Sequence, residues 1–275
     1  MVRFFALAAL LLGTILVWLA PVPHALSVSF LDVGQGDAIF IESADGVQIL
    51  IDGGADGSVL REIGKKMPLW DRTIDAVVAT HPDKDHIGGL VDVFERYEVR
   101  HFIEPGVEND TTPTLALMRA VQNESGVLTA IARRGMRLQL GNDAYADILF
   151  PDRDVSKVET NTGSIIIRVV DGDTSFLLTG DAPSSVEKHV ITLGDIESDV
   201  LKAGHHGSKT SSSEEFIRAV APSYVIFSRG CDNTYGHPAA EVVQRFEKLK
   251  IPALDTCEEG TISLYSDGTT VRQGF

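Results

Sequence analysis

In Thr80-His81-Pro82-Asp83-Lys84-Asp85-His86-Ile87-Gly88-Gly89, two histidines and two aspartates fall within six positions. The apolar run 74–79 precedes this stretch, and the Gly-Gly pair opens into a helix-like segment, 90–97. The pattern is that of a strand, a turn and a helix N-terminus. Imidazole and carboxylate are ligands of divalent ions such as zinc and manganese. Two ions can share the turn, one taken by His81 and Asp83, the other by Asp85 and His86. The alternative is a polar turn with incidental histidines, and the density of ligands weighs against it.

Upstream, residues 27–33 alternate and break at Gly34-Gln35-Gly36. Residues 37–42 and 47–51 read as a hairpin, and 58–66 as an amphipathic helix stopped by Pro68. Downstream, strands are expected at 99–103, 127–132, 137–140, 144–150, 164–170, 175–179, 199–203 and 224–228. A closing hairpin, 261–265 and 269–272, turns over Ser266-Asp267-Gly268. Helices are expected at 113–123, 184–193, 213–220 and 238–249, the last with Pro238 in its first turn. Most adjacent strands read as antiparallel. No linker divides the halves, so the pattern predicts one α/β (α+β) domain, a two-sheet core covered by helices.

Residues 4–20 carry no charge and follow Arg3, which fits a secretory signal or an N-terminal membrane anchor within residues 1–23. A small-x-small cleavage site is unconvincing around Ala20-Pro21-Val22-Pro23, so the anchor reading leads slightly. Either places residues 26–275 outside the cytoplasm, in the periplasm or extracellular space or on the outer face of the cytoplasmic membrane. The two cysteines, Cys231 and Cys257, form an even pair that can close a disulfide there; sequence does not show their proximity. The formal net charge of −15 argues against a broad basic surface for nucleic acid. It leaves room for a local site where divalent ions bring positive charge.

Further polar clusters stand at expected strand ends. They are Asp32 with Gly34-Gln35-Gly36-Asp37, then Asp52-Gly53-Gly54, Asn161-Thr162-Gly163-Ser164 and Thr179-Gly180-Asp181. His205-His206-Gly207-Ser208 and Asn233-Thr234-Tyr235-Gly236-His237-Pro238 complete the set. Each alone reads more readily as a turn; together with the His81 cluster they point to one site.

In this order the motifs resemble those of the metallo-β-lactamase superfamily, and within it the hydrolase domain of the ComEC competence proteins. The resemblance covers roughly residues 27–272. It implies a four-layer αββα sandwich with a metal site at one edge. It implies two divalent metal ions, zinc or manganese, bound by His81, Asp83, Asp85, His86, Asp181 as the bridging carboxylate, and His206. His205 and His237 are implied as proton donors or phosphate contacts, and Asp83 or Asp85 as orienting the water. Asp37, Asp52, Asn161, Ser164 and Asn233 are expected behind the ligands or on the substrate side. Many superfamily members carry histidine where Asp83 stands, and a further histidine near Asn161. Oxygen ligands there make manganese a rival to zinc.

The expected activity is metal-dependent hydrolysis of a phosphodiester, with DNA a candidate substrate and no nucleotide cofactor. Alternatives are another ester (a cell-envelope phosphoester, a lactone or a β-lactam) and a non-catalytic metal-binding interaction module. A serine nucleophile is not expected, since Ser208 lacks a Gly-x-Ser-x-Gly setting.

Overall fold

The computed structural model describes residues 25–274. The expected signal or anchor segment lies outside these described residues. The first sheet contains β1 (Leu26–Phe30), β2 (Ile39–Glu42), β3 (Gln48–Ile51), β4 (Thr73–Val78), β5 (Glu98–Glu104) and β6 (Leu128–Ile131), with β14 (Ile262–Ser266) and β15 (Val271–Gln273). Its order is β15-β14-β1-β2-β3-β4-β5-β6. The second contains β7 (Arg137–Gln139), β8 (Ala144–Phe150), β9 (Ile166–Asp171), β10 (Thr174–Leu178), β11 (Val200–Lys202), β12 (Tyr224–Phe227) and β13 (Ala253–Asp255), in the order β13-β12-β11-β10-β9-β8-β7.

Period-two patterning assigns the faces. Ile49 and Ile51 of β3 enter the core between the sheets, while Leu50 faces outward. Phe176 and Leu178 of β10 enter the same core, and Leu177 faces the other way. Helices Ser58–Ile63, Leu90–Arg96 and Thr112–Asn123 cover the outer face of the first sheet through Val59, Ile63, Leu90, Val93, Leu117 and Val121. Helices Ser184–Ile191, Glu214–Val220 and Ala240–Leu249 cover the second through Val186, Val190, Phe216, Ile217, Val242 and Phe246. Each such side chain contributes about 1.5–3 kcal/mol on burial. The expected four-layer αββα sandwich is the architecture observed.

Three local expectations change. The sheets are mixed, with seven antiparallel and six parallel pairings among the described residues. Helices carry the chain from β3 to β4, β4 to β5, β10 to β11 and β12 to β13, returning each strand in the same direction. The last long helix starts at Ala240, not at Pro238, because Ala239 N–H donates to Gly207 O at 2.9 Å and holds this end against the His205-His206 turn. The second strand starts at Ile39, since Asp37 N–H donates to Asp85 O at 3.3 Å and the loop turns into the site.

Candidate metal centre

The carboxyl ends of β3, β4, β10, β11 and β12 gather at one rim, where open sheets expose their loops. Asp52 follows β3, and Thr80 to His86 follow β4. Asp181 follows β10, and His205 and His206 follow β11. These loops interlock: Gly53 N–H donates to His86 O at 2.7 Å and Gly54 N–H to Asp37 O at 2.8 Å. The glycines are required by closeness. A Cβ on Gly36 would stand 2.0 Å from Asp85 O, and one on Gly89 would stand 2.2 Å from Gly53 O. Asp52, His205 and His206 hold φ of 58°, 52° and 54°, a left-handed backbone that strained functional turns retain.

Three histidines present Nε2 to one space. His86 Nδ1 lies 2.8 Å from Asp52 Oδ2, so its N–H points at the carboxylate. Thr80 Oγ1 donates to Asp52 Oδ2 at 2.7 Å and therefore accepts from His81 Nδ1 at 3.0 Å. His206 Nδ1 donates to Ser228 O at 2.9 Å. With every Nδ1 committed, Nε2 is the atom each ring has left to offer an ion or, in its absence, a proton. All three Nε2 atoms are buried without a hydrogen-bond partner.

Asp181 is central. Its Oδ2 lies 3.4 Å from His86 Nε2, 3.6 Å from His206 Nε2 and 3.9 Å from His81 Nε2. His81, His86 and Asp181 form one ligand group, and Asp85, His86 and His206 a second. Asp85 Oδ2 lies 3.4 Å from His206 Nε2. Asp83 lies outside these groups; its half-exposed carboxylate reaches 3.7 Å from His81 Nε2. The donor set of imidazoles and carboxylates, with orphaned buried Nε2 atoms, fits divalent metal ions.

Without an ion, protons on two of these rings supply the positive charge that the buried carboxylates demand. Burial opposes charge on Asp181, yet the His206 and His86 cations hold it well below the usual carboxylate range. Burial likewise disfavours the imidazolium of His206, but Asp181 and Asp37 push it up to about 9. His81, buried beside His86, is pushed down to about 3 and stays neutral. Burial lowers His205 and His237 also.

Other expected residues take varied positions. His205 Nε2 reaches Asp181 Oδ2 at 3.5 Å from a partly exposed ring. The rings of His205 and His237 lie 5.6 Å apart, and both line a cleft of about 140 Å³ with Asp83, Asp85, Asp181 and His206. Asp52 hydrogen-bonds behind the candidate ligand His86 and to Thr80. Asn233 does not line the cleft: its amide donates to Gly230 O and His237 O, both at 2.8 Å, and braces the His237 loop. Asn161 and Ser164 do not line it either. Ser164 Oγ accepts from Asp181 N–H at 3.3 Å, holding that strand end.

Sequence reasoning missed Lys202. It is fully buried, and its ammonium pairs with Asp37 and lies 3.8 Å from Asp181 Oδ1. A lysine inside the apolar strand that leads to His205-His206 is the signal that could have found it. Tyr235 and Gln35 also line the cleft; the Tyr235 ring stacks on His237 with centroids 5.8 Å apart.

A sequence profile described as Metallo-beta-lactamase superfamily matches residues 31–230. The chain belongs to this superfamily. Its members are usually metallo-hydrolases. ComE operon protein 3 of Bacillus subtilis strain 168 is 32% identical over 254 residues, covering 86% of this chain and 32% of that protein. Recombination protein 2 of Haemophilus influenzae is 32% identical over 254 residues, covering 90% of this chain and 30% of that protein. Both relatives are ComEC-family proteins. The chain therefore spans about a third of their length. Among solved structures, the diiron β-hydroxylase CmlA from Streptomyces venezuelae superposes with a TM-score of 0.56 at 16% identity, covering 89% of this chain and 55% of that one. That likeness shows the fold alone. Among the described residues no helix is long and apolar enough to cross a membrane.

Proposed function

We propose that this domain is a phosphodiesterase that uses two divalent ions, with DNA the leading substrate. The observation that carries the reading is the shared position of Asp181 Oδ2, within 3.4–3.9 Å of three orphaned imidazole nitrogens. His81, Asp83 and Asp181 would hold one ion, and Asp85, His86, His206 and Asp181 the other. Ions bound there supply an acidified water and charge to stabilise a phosphoryl oxygen.

The chain's own residues supply the rest. Asp83 and Asp85, at the mouth of the cleft, orient the attacking water by accepting its hydrogen bond. His205 and His237 hold a phosphoryl oxygen or return a proton to the leaving alkoxide. A cleft of about 140 Å³ takes a phosphoryl group and leaves the rest of a long substrate outside. Asp83, where many relatives carry histidine, supports manganese beside zinc as the working ion. Export, with the cleft outside the cytoplasm, belongs to the same reading.

The test is an assay of the purified protein, loaded with manganese or zinc, on single-stranded DNA, bis-p-nitrophenyl phosphate and nitrocefin. Cleavage of the first two is expected. Hydrolysis of the small diester without DNA cleavage removes the nuclease reading. Hydrolysis of nitrocefin alone moves the chemistry to acyl transfer.

A further inference from the structure

The connection from helix Ser58–Ile63 to β4 carries two large apolar side chains almost wholly in water, Leu69 at 81% and Trp70 at 86% exposure. The connection is pinned at both sides of them. Lys66 Nζ donates to Ser263 Oγ at 2.6 Å, and Gln48 Nε2 donates to Asp71 Oδ2 at 3.0 Å. Ser263 pairs with Ser29 of β1; Gln48 opens β3 opposite Glu42, which pairs with Ser27. Leu69 and Trp70 are thus held beside the start of β1. This is the end of the first sheet away from the metal cleft, which gathers where β3 and β4 finish.

The chain enters β1 at Leu26, shortly after the uncharged, apolar residues 4–20. Charge follows the same side. Residues 61–72 hold Arg61, Lys65, Lys66 and Arg72 against Glu62 and Asp71, in a chain whose net charge is −15. Arg61, Lys65 and Arg72 are exposed; Arg61 and Lys65 both pair with the buried Glu62, at 2.9 and 2.8 Å, so the four cations and two carboxylates leave the stretch a net charge of +2. Leu26 also lines a cavity of about 370 Å³ with Asp45, Asp143, Asp171 and Asp267, a surface that anionic headgroups repel.

We propose that Leu69 and Trp70, flanked by these basic side chains, rest in the headgroup layer of an anionic bilayer to which residues 4–20 tether the chain. The indole suits that layer, with an apolar body and an N–H that stays wet. Exposed lysine and arginine are drawn to anionic lipid. The contact fixes the domain's tilt, and the metal cleft faces away from the membrane.

The chain has two tryptophans, Trp18 and Trp70, so Trp18→Phe leaves Trp70 as the sole indole. The full chain with that change is reconstituted into phosphatidylglycerol-containing vesicles, with and without brominated phospholipid. Trp70 emission is expected to shift to the blue, lose intensity with brominated lipid and resist aqueous acrylamide. In a Trp18→Phe/Trp70→Phe background, Tyr235→Trp at the cleft end reports the opposite pole and is expected to stay unquenched by lipid. Three results overturn the proposal: a chain that does not float with vesicles, a Trp70 as open to acrylamide with vesicles as without, or equal lipid quenching at both poles.

Discussion

His205 and His206 adjoin in the chain but turn their rings 75° apart, with centroids separated by 6.0 Å. His206 is buried, fixed through Nδ1 by Ser228 O, and faces both Asp85 and Asp181. His205 is partly exposed and reaches Asp181, Thr210 and the cleft. The two substitutions therefore separate. His206→Ala is expected to lose bound metal, measured by elemental analysis of the purified protein. His205→Ala is expected to keep its metal and lose about 10²-fold or more in kcat on bis-p-nitrophenyl phosphate, the scale of a lost proton donor. Equal metal loss in both would exchange or merge the roles.

Asp52 stands behind the candidate ligands. It accepts from Thr80 N–H and Thr80 Oγ1, each at 2.7 Å, and from His86 Nδ1. Asp52→Ala releases His86 directly and His81 through Thr80. Metal affinity is expected to fall about 10–100-fold, read by competition with a chromogenic chelator. Thr80→Val, which keeps the shape and removes only the hydroxyl, should give a smaller fall.

Much of this was legible in the chain because the ligand turn and the short motifs sit where apolar strands stop, and period-two burial locates those ends. The His81 to His86 turn stood out by its ligand density; Asp181 and Asp52, each more readily a turn alone, were assigned through the resemblance. Asn233 was harder. Its motif resembles a substrate contact, but the amide is consumed by carbonyls three and four residues away, which no spacing reveals. Parallel pairing was also hidden, since a strand buried on both faces carries no mark of its neighbour's direction. Lys202 stood inside the expected strand 199–203, yet its use depends on Asp37, which only the fold brings alongside.

Lys202→Met tests that pair. The ammonium is the permanent cation between Asp37 and Asp181, and burial opposes its charge while Asp37 and Asp181 hold its pKa up. Removing it leaves a buried carboxylate uncompensated, expected to cost about 3–5 kcal/mol in urea unfolding of the metal-free protein. Added manganese should recover part of the loss, since divalent charge takes over the compensation. A variant as stable as the parent without metal would show that Asp37 is neutral or wet.

Metal removal has its own signature. Asp83, Asp85 and Asp181 converge on one cleft, so an ion that binds only the folded state stabilises it by mass action. Free metal at about a hundred times Kd contributes about 2.7 kcal/mol. For a domain of this size that is a rise in Tm of about 5–10 °C relative to protein held in EDTA, measured by calorimetry. An unchanged Tm across manganese and zinc titrations would remove the metal centre as a stabilising element.

A disulfide joins Cys231 and Cys257, 26 residues apart in sequence. It ties the loop carrying Tyr235 and His237 to the short helix Thr256–Glu259, beside the Arg229 to Asp255 ion pair at 2.8 Å. Closing a loop of this length restricts the unfolded chain by about 3–4 kcal/mol in the entropy model. Cys231→Ser/Cys257→Ser is expected to lose about that much in denaturant unfolding under oxidising conditions. The candidate ligands lie on other loops, so metal content should be unchanged. His237 is carried by the tethered loop, so KM for bis-p-nitrophenyl phosphate should rise. If stability falls and KM does not, the bond serves the fold, and Asn233 alone positions His237.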